Sequence, residues 1–189
     1  MKNILDDIII RKINSLLIII IIVLLLWHGL LSVLYMLGLV NHTPDMVTTG
    51  RRLFLFVMLH MIFSLYLFFK DNYRRIKIKT YFNIQNKTNI QAFSGIGILI
   101  FMFLHYISYS MIPINPNLPF IVSLIHIIID TLLFTMICLH LTISIPRMLI
   151  SFGFLSKDKL YDNFENNTKN LLVIFLVLFF LVELTFYII

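Results

Sequence analysis

The chain has little cysteine, little charge and few acidic residues. Cys138 is its only cysteine in 189 residues, so a disulfide framework and a Cys-x-x-Cys-His site for covalent haem attachment are excluded. Charged residues make up 13% of the sequence, nine acidic against fifteen basic, for a net charge of +6. In their place the chain is 60% hydrophobic and 14% aromatic, with a mean hydropathy of +0.96. A soluble domain cannot hide so much apolar surface, and the composition calls for a multi-pass membrane protein. The basic excess does not point to nucleic acid, because it crowds into loops beside the hydrophobic runs and reads as a topology signal.

Five runs are long enough to cross a bilayer: residues 13–40, 53–69, 92–111, 120–145 and 171–189. Each lies near the roughly 20 residues needed. The first run is too long for a signal peptide and has no Ala-x-Ala cleavage site, so it is expected to stay as a span. All five are expected to be helices, because lipid offers no partners to backbone polar groups. Neither a repeat nor a second domain is visible, and residues 1–189 read as one all-α transmembrane domain. Lys2, Arg11 and Lys12 precede the first span, and Arg147, Lys157, Lys159 and Lys169 fill the fourth connection. The second connection holds Lys70, Arg74, Arg75, Lys77, Lys79 and Lys87, whereas the first, Asn41 to Arg52, holds only Arg51 and Arg52. That contrast predicts a cytoplasmic N-terminus and an outward C-terminus.

His28, His60, His105 and His140 fall one in each of the first four runs, and the fifth has none. Histidine inside a bilayer is costly and marks a function by default. Counted at 1.5 Å per residue, His28 lies about 24 Å beyond Lys12 and His105 about 21 Å beyond Gln91, both toward the outer face. His140 lies about 10 Å above Arg147 and His60 about 15 Å above Lys70, both toward the inner face. Histidines at paired depths suit the axial ligands of two non-covalent, b-type haems, outer and inner. The plainer role for an isolated intramembrane histidine is a hydrogen bond between helices.

On the fourth run, Ser123, His126, Asp130, Leu133, Ile137, His140, Ser144 and Arg147 recur at alternating three- and four-residue steps. This spacing predicts one polar helix face turned toward the protein interior. His126 is expected to support the haem site or handle protons, and it stands as an alternative outer ligand. His42 lies in the first connection, three residues before Asp45. On the third run Ser94 and His105 are eleven residues apart, which puts them on one helix face, with Gly95 and Gly97 thinning the adjacent surface. A thin surface admits a flat macrocycle, and it equally serves close helix packing.

The segment Gln91-Ala-Phe-Ser-Gly95 with an apolar run to His105 resembles the third helix of the di-haem cytochrome b subunit of fumarate reductases and succinate dehydrogenases. Leu139-His-Leu-Thr-Ile-Ser-Ile-Pro-Arg147 followed by Phe152-Gly-Phe is similar to the next helix of that family and its end. The likeness covers nearly the whole chain and is nearest to the epsilonproteobacterial form, with two haems on one polypeptide. It implies that His60 and His140 hold a proximal haem and His28 and His105 a distal one. Ser94 and Gly95 would border haem, and Arg74, Arg75 and Arg147 would face propionates, as cations favour that charge.

The resemblance further implies a multi-pass subunit of the bacterial inner (cytoplasmic) membrane. It would pass electrons between menaquinol or menaquinone and an iron-sulfur subunit, which serves an FAD flavoprotein subunit of the same complex. Membrane lipid and quinone would be its other partners, with room for a homodimer of the whole complex. A quinol site wants a proton acceptor near an aqueous face, and Asp45 is the carboxylate in the outer connection; helix capping is its other expected role. Cys138 stands where some family members carry a glutamate tied to a proton route, so Asp130 or Glu183 would have to substitute. The alternative reading is a cytochrome b subunit of a membrane-bound hydrogenase or formate dehydrogenase, which also uses transmembrane histidines.

Overall fold

The computed structural model describes residues 2–75, 82–111, 119–154 and 159–188. It contains five helices, α1 (Lys2–Met36), α2 (Pro44–Arg75), α3 (Phe82–Met111), α4 (Phe120–Ser151) and α5 (Lys159–Ile188). Each has a segment long and apolar enough to cross a membrane: Ile9–Met36, Pro44–Lys70, Lys87–Met111, Phe120–Ile150 and Tyr161–Ile188. The described residues are therefore all helical in their regular structure, and the protein is of the multi-pass membrane type.

Helix ends follow local chemistry rather than hydropathy. The first run continues in sequence to Val40, yet α1 stops at Met36 because Gly38 takes a left-handed φ of 70°. There the Gly38 amide donates to the Tyr35 carbonyl at 2.9 Å and the Leu39 amide to the Leu34 carbonyl at 2.9 Å, a Schellman cap. α4 ends in the same way, with Gly153 at φ 78° and the Phe154 amide on the Leu149 carbonyl at 2.9 Å. The Phe152-Gly-Phe sequence is thus a helix stop. α2 starts nine residues before the expected run, with Pro44 in its first turn and the Met46 amide on the Thr43 carbonyl. Proline suits that position, since its missing N–H has no helical partner there. Arg51 and Arg52 consequently belong to α2 and not to the connection.

The chain forms two compact units, Met1–Tyr81 and Phe82–Ile189. In the first, α1 and α2 make an antiparallel hairpin. Asn14 meets His60 and Ser64 at one end, and His28 meets Gly50 nearer the connection. In the second, α4 packs antiparallel to both α3 and α5. The polar face expected on α4 is buried here, with Ser123, His126, Asp130 and Ser144 all interior. α3 and α5 run parallel and touch at both ends, through Lys87 with Glu165 and Tyr109 with Tyr187.

Candidate functional site

Each unit presents histidine rings at two levels along its helices, and each is taken by itself. In the first unit, His60 Nδ1 and Asn14 Oδ1 are 2.8 Å apart. The amide oxygen can only accept, so the ring donates from Nδ1. Asn14 Nδ2 donates in turn to Ser64 Oγ at 3.3 Å, and that hydroxyl lies 3.4 Å from His60 Nε2. Ser64 is one turn beyond His60, so a single helix face carries both. His28, about 15 Å away by the ten-residue step from His60 to Gly50 on α2, is placed by shape. A Cβ on Gly50 would stand 3.1 Å from His28 Cε1, so the imidazole fits there because the glycine has no side chain.

At one level of the second unit, His140 Nδ1 lies 3.1 Å from the Gln91 carbonyl oxygen and 3.2 Å from Ser94 Oγ. Ser94 Oγ itself donates to the same carbonyl at 3.0 Å and is fully buried, so His140 donates from Nδ1 to both oxygens. Gly95 lies beside the ring, a Cβ there standing 3.5 Å from His140 Cε1, and Gly97 faces Met136. In the described residues the thin surface of α3 is thus occupied by an imidazole and a thioether. Gln91 is the hub of this level. Its Nε2 donates to Ser144 Oγ at 2.9 Å, and its Oε1 accepts from Arg147. Arg147 also donates to Thr88 Oγ1 at 3.3 Å, so its guanidinium is tied to α3.

The other level lies about 15 Å along α4 from His140, ten residues away at Asp130. Here His105 Nδ1 is 2.6 Å from Asp130 Oδ1, and Tyr109 donates to Asp130 Oδ2 at 2.5 Å. Tyr109 Oη is 3.1 Å from Tyr187 Oη, which is 3.2 Å from His126 Nδ1. Asp130 is 5% exposed and His126 1%, so water has little share in these bonds. Glu183 is fully buried, and Thr131 donates to its Oε2 at 3.4 Å. Glu183 Oε1 and His126 Nε2 have no hydrogen-bond partner among the described residues.

Asp45 lies in the first turn of α2. It lines a cavity of about 350 Å³ with Trp27, Leu31, Asn41, Thr49 and Arg52, among others. His42 is exposed and sets its ring against Tyr35 at 5.7 Å. Arg74 and Arg75 close α2, and their side chains lie outside the described residues. No group of three or more histidine, cysteine or acidic side chains among the described residues is arranged to hold a metal ion by itself.

The sequence pattern did not single out Asn14, Tyr109 or Tyr187. A signal existed for two of them: Asn14 is a carboxamide beside a purely apolar run, and Tyr109 sits one turn after His105 on the same face. Tyr187 lies on the helix without histidine and carries no such signal. No family model matches the chain, and neither a curated protein nor a solved structure matches it.

Proposed function

We propose that the chain is a membrane-embedded b-type cytochrome, the two-haem subunit of a quinone-linked oxidoreductase of the fumarate reductase and succinate dehydrogenase kind. The observation that carries this reading is the hydrogen bonding of three of its four span histidines. His60, His105 and His140 each set Nδ1 against an oxygen acceptor. Ligating histidines characteristically donate their other ring N–H to such an oxygen, which fixes the tautomer and leaves Nε2 as the lone-pair nitrogen; at His60 that nitrogen lies 3.4 Å from Ser64 Oγ, a contact that haem iron would replace. A bis-histidine haem draws its protein ligands two at a time and needs no larger ligand cluster. The donor set therefore fits haem iron.

His60 and His140 would hold one haem and His28 and His105 the other, an assignment that follows from the depth of each histidine in the sequence. When bound, these groups supply one-electron carriers at two levels of the membrane. The protein holds His60, His105 and His140 each with Nδ1 against an oxygen, which sets the tautomer. Arg147, at the cytoplasmic end of α4 in this reading, is a cation near the inner level. The basic residues between α2 and α3 and after α4 would meet the iron-sulfur subunit, and through it the flavoprotein.

The cavity at Asp45 has the size of a small-molecule site, commonly about 300–1,000 Å³. Trp27 and Leu31 offer apolar walls for a quinone ring, and Asn41 and Thr49 offer polar groups to its oxygens. Asp45 would take a proton from a quinol, next to the residue that precedes His28 in the chain. Reduced-minus-oxidised spectra and a haem count on the full chain, expressed with ample haem, test the reading. Two b-type haems per chain are expected. Protein with no b-type α-band would overturn it.

A further inference from the structure

The hydrogen-bond acceptors behind the histidines are not equivalent. His140 Nδ1 meets a carbonyl oxygen and a serine hydroxyl at 3.1 and 3.2 Å, and His60 Nδ1 meets a carboxamide oxygen at 2.8 Å. All of these acceptors are neutral. His105 Nδ1 alone among these three meets a carboxylate, Asp130, at 2.6 Å. That distance is short even for a charge-assisted bond, and Asp130 is buried.

The same carboxylate is held from its other side by an ordered row of donors. Tyr109 gives its hydroxyl proton to Asp130 Oδ2, so at the 3.1 Å contact with Tyr187 it must accept. Tyr187 thereby spends its proton on Tyr109 and accepts at its own oxygen from His126 Nδ1, 3.2 Å away. Each bond in the row points toward Asp130, and hydrogen bonds arranged head to tail polarise one another. The carboxylate is therefore held, and its negative charge shared, by His105 and Tyr109, with Tyr187 backing Tyr109.

We infer that Asp130 is a positioning residue which, acting through His105 Nδ1, lowers the reduction potential of the iron that His105 ligates, and that the Tyr109 hydroxyl moderates the effect. This rests on the haem reading of the site. An imidazole whose N–H bonds to a carboxylate gains imidazolate character and donates more strongly to the metal, and stronger donation favours ferric over ferrous iron. Tyr109 withdraws part of the carboxylate's charge, and so acts in the opposite direction. His140 and His60, with neutral acceptors, lack this lever.

Redox titration of the full chain in membranes, followed by the α-band and by ferric electron paramagnetic resonance, separates the two haem components. In D130N the amide oxygen still accepts from His105, but the charge is gone. One component is then expected to shift by roughly tenfold toward the ferrous form, equivalent to about 59 mV for one electron, while the other stays in place. In Y109F the same component is expected to move in the opposite direction, toward the ferric form, by a smaller factor. A purely structural role would not give opposite signs. Haem retained with no shift in D130N, or both variants shifting the same way, overturns the inference and leaves the haem reading intact. A wild-type chain without haem overturns both. If D130N fails to fold, the sign of the Y109F shift decides alone.

Discussion

The two units place their histidines by different means. In the α1–α2 hairpin, His28 is accommodated by the missing side chain of Gly50, and His60 by one carboxamide and one hydroxyl. In the α3–α4–α5 unit, both rings sit in continuous polar networks, and six of the seven buried polar side chains of the described protein belong to it: Ser94, Ser123, His126, Asp130, Ser144 and Glu183. The difference follows from packing within each unit. A helix flanked on both sides, as α4 is, has an interior face where polar groups must find partners, whereas each helix of the hairpin has one neighbour within its own unit. Shape helps to place a ring, but networks also set its electronic character.

The largest expected break in this comparison comes from removing the rings. Alanine at His28, His60, His105 or His140 should each cost haem in a pigment-to-protein count, whichever unit is hit, while His42→Ala should cost none. A strong loss in His126→Ala would instead make that ring the outer ligand. Next in size is Gly50→Val, which drives atoms into the His28 imidazole and should destabilise the hairpin by about 1–3 kcal/mol as overpacking does, with a broadened spectrum for the haem held there. Gly97→Ala is its control. A Cβ would stand 2.7 Å from Met136 Sδ and 2.9 Å from its Cγ, so the Met136 side chain must shift, but no histidine is touched and the spectrum should be unchanged.

Smaller effects sharpen the contrast between a pair and a network. Asn14→Ala removes two interhelical hydrogen bonds, to His60 and to Ser64, each worth about 0.6 kcal/mol on average in membranes, and should loosen His60, read as greater heterogeneity in its ferric resonance. Ser94→Ala should do less to His140, because the Gln91 carbonyl still holds Nδ1 at 3.1 Å. Smallest of all is Glu165→Gln, which breaks the 2.6 Å pair with Lys87 at a partly exposed helix end. Thermal unfolding should register at most about 1 kcal/mol, less in high salt.

Much of the fold could be read from the sequence, because hydropathy over some twenty residues is a strong signal in a membrane protein. The polar face of α4 was equally readable, since periodicity within one helix is a local property. Helix ends were read less well. Hydropathy carries no information about the Thr43-Pro44 start of α2, which draws Arg51 and Arg52 into the helix, or about the Gly38 stop of α1. The partners behind the histidines were mostly hidden, because Asn14 with His60, 46 residues apart, and His126 with Tyr187, 61 apart, meet only once helices are paired. Ser94 was an exception through its spacing from His105, yet the ring it serves is His140.

The glycine stops at Gly38 and Gly153 bear on how the protein suits its lipid. A left-handed residue cannot be wound into another right-handed turn without undoing the cap, so α1 and α4 have fixed lengths at those ends. The segment of α4 long and apolar enough to cross a membrane is 31 residues, about 46 Å of helix, against about 30 Å of hydrocarbon. Hydrophobic mismatch must then be taken up by tilt or by local thickening of the bilayer, so bilayer thickness would change the inclination of α4 and leave its hydrogen-bonded register along α3 and α5 in place.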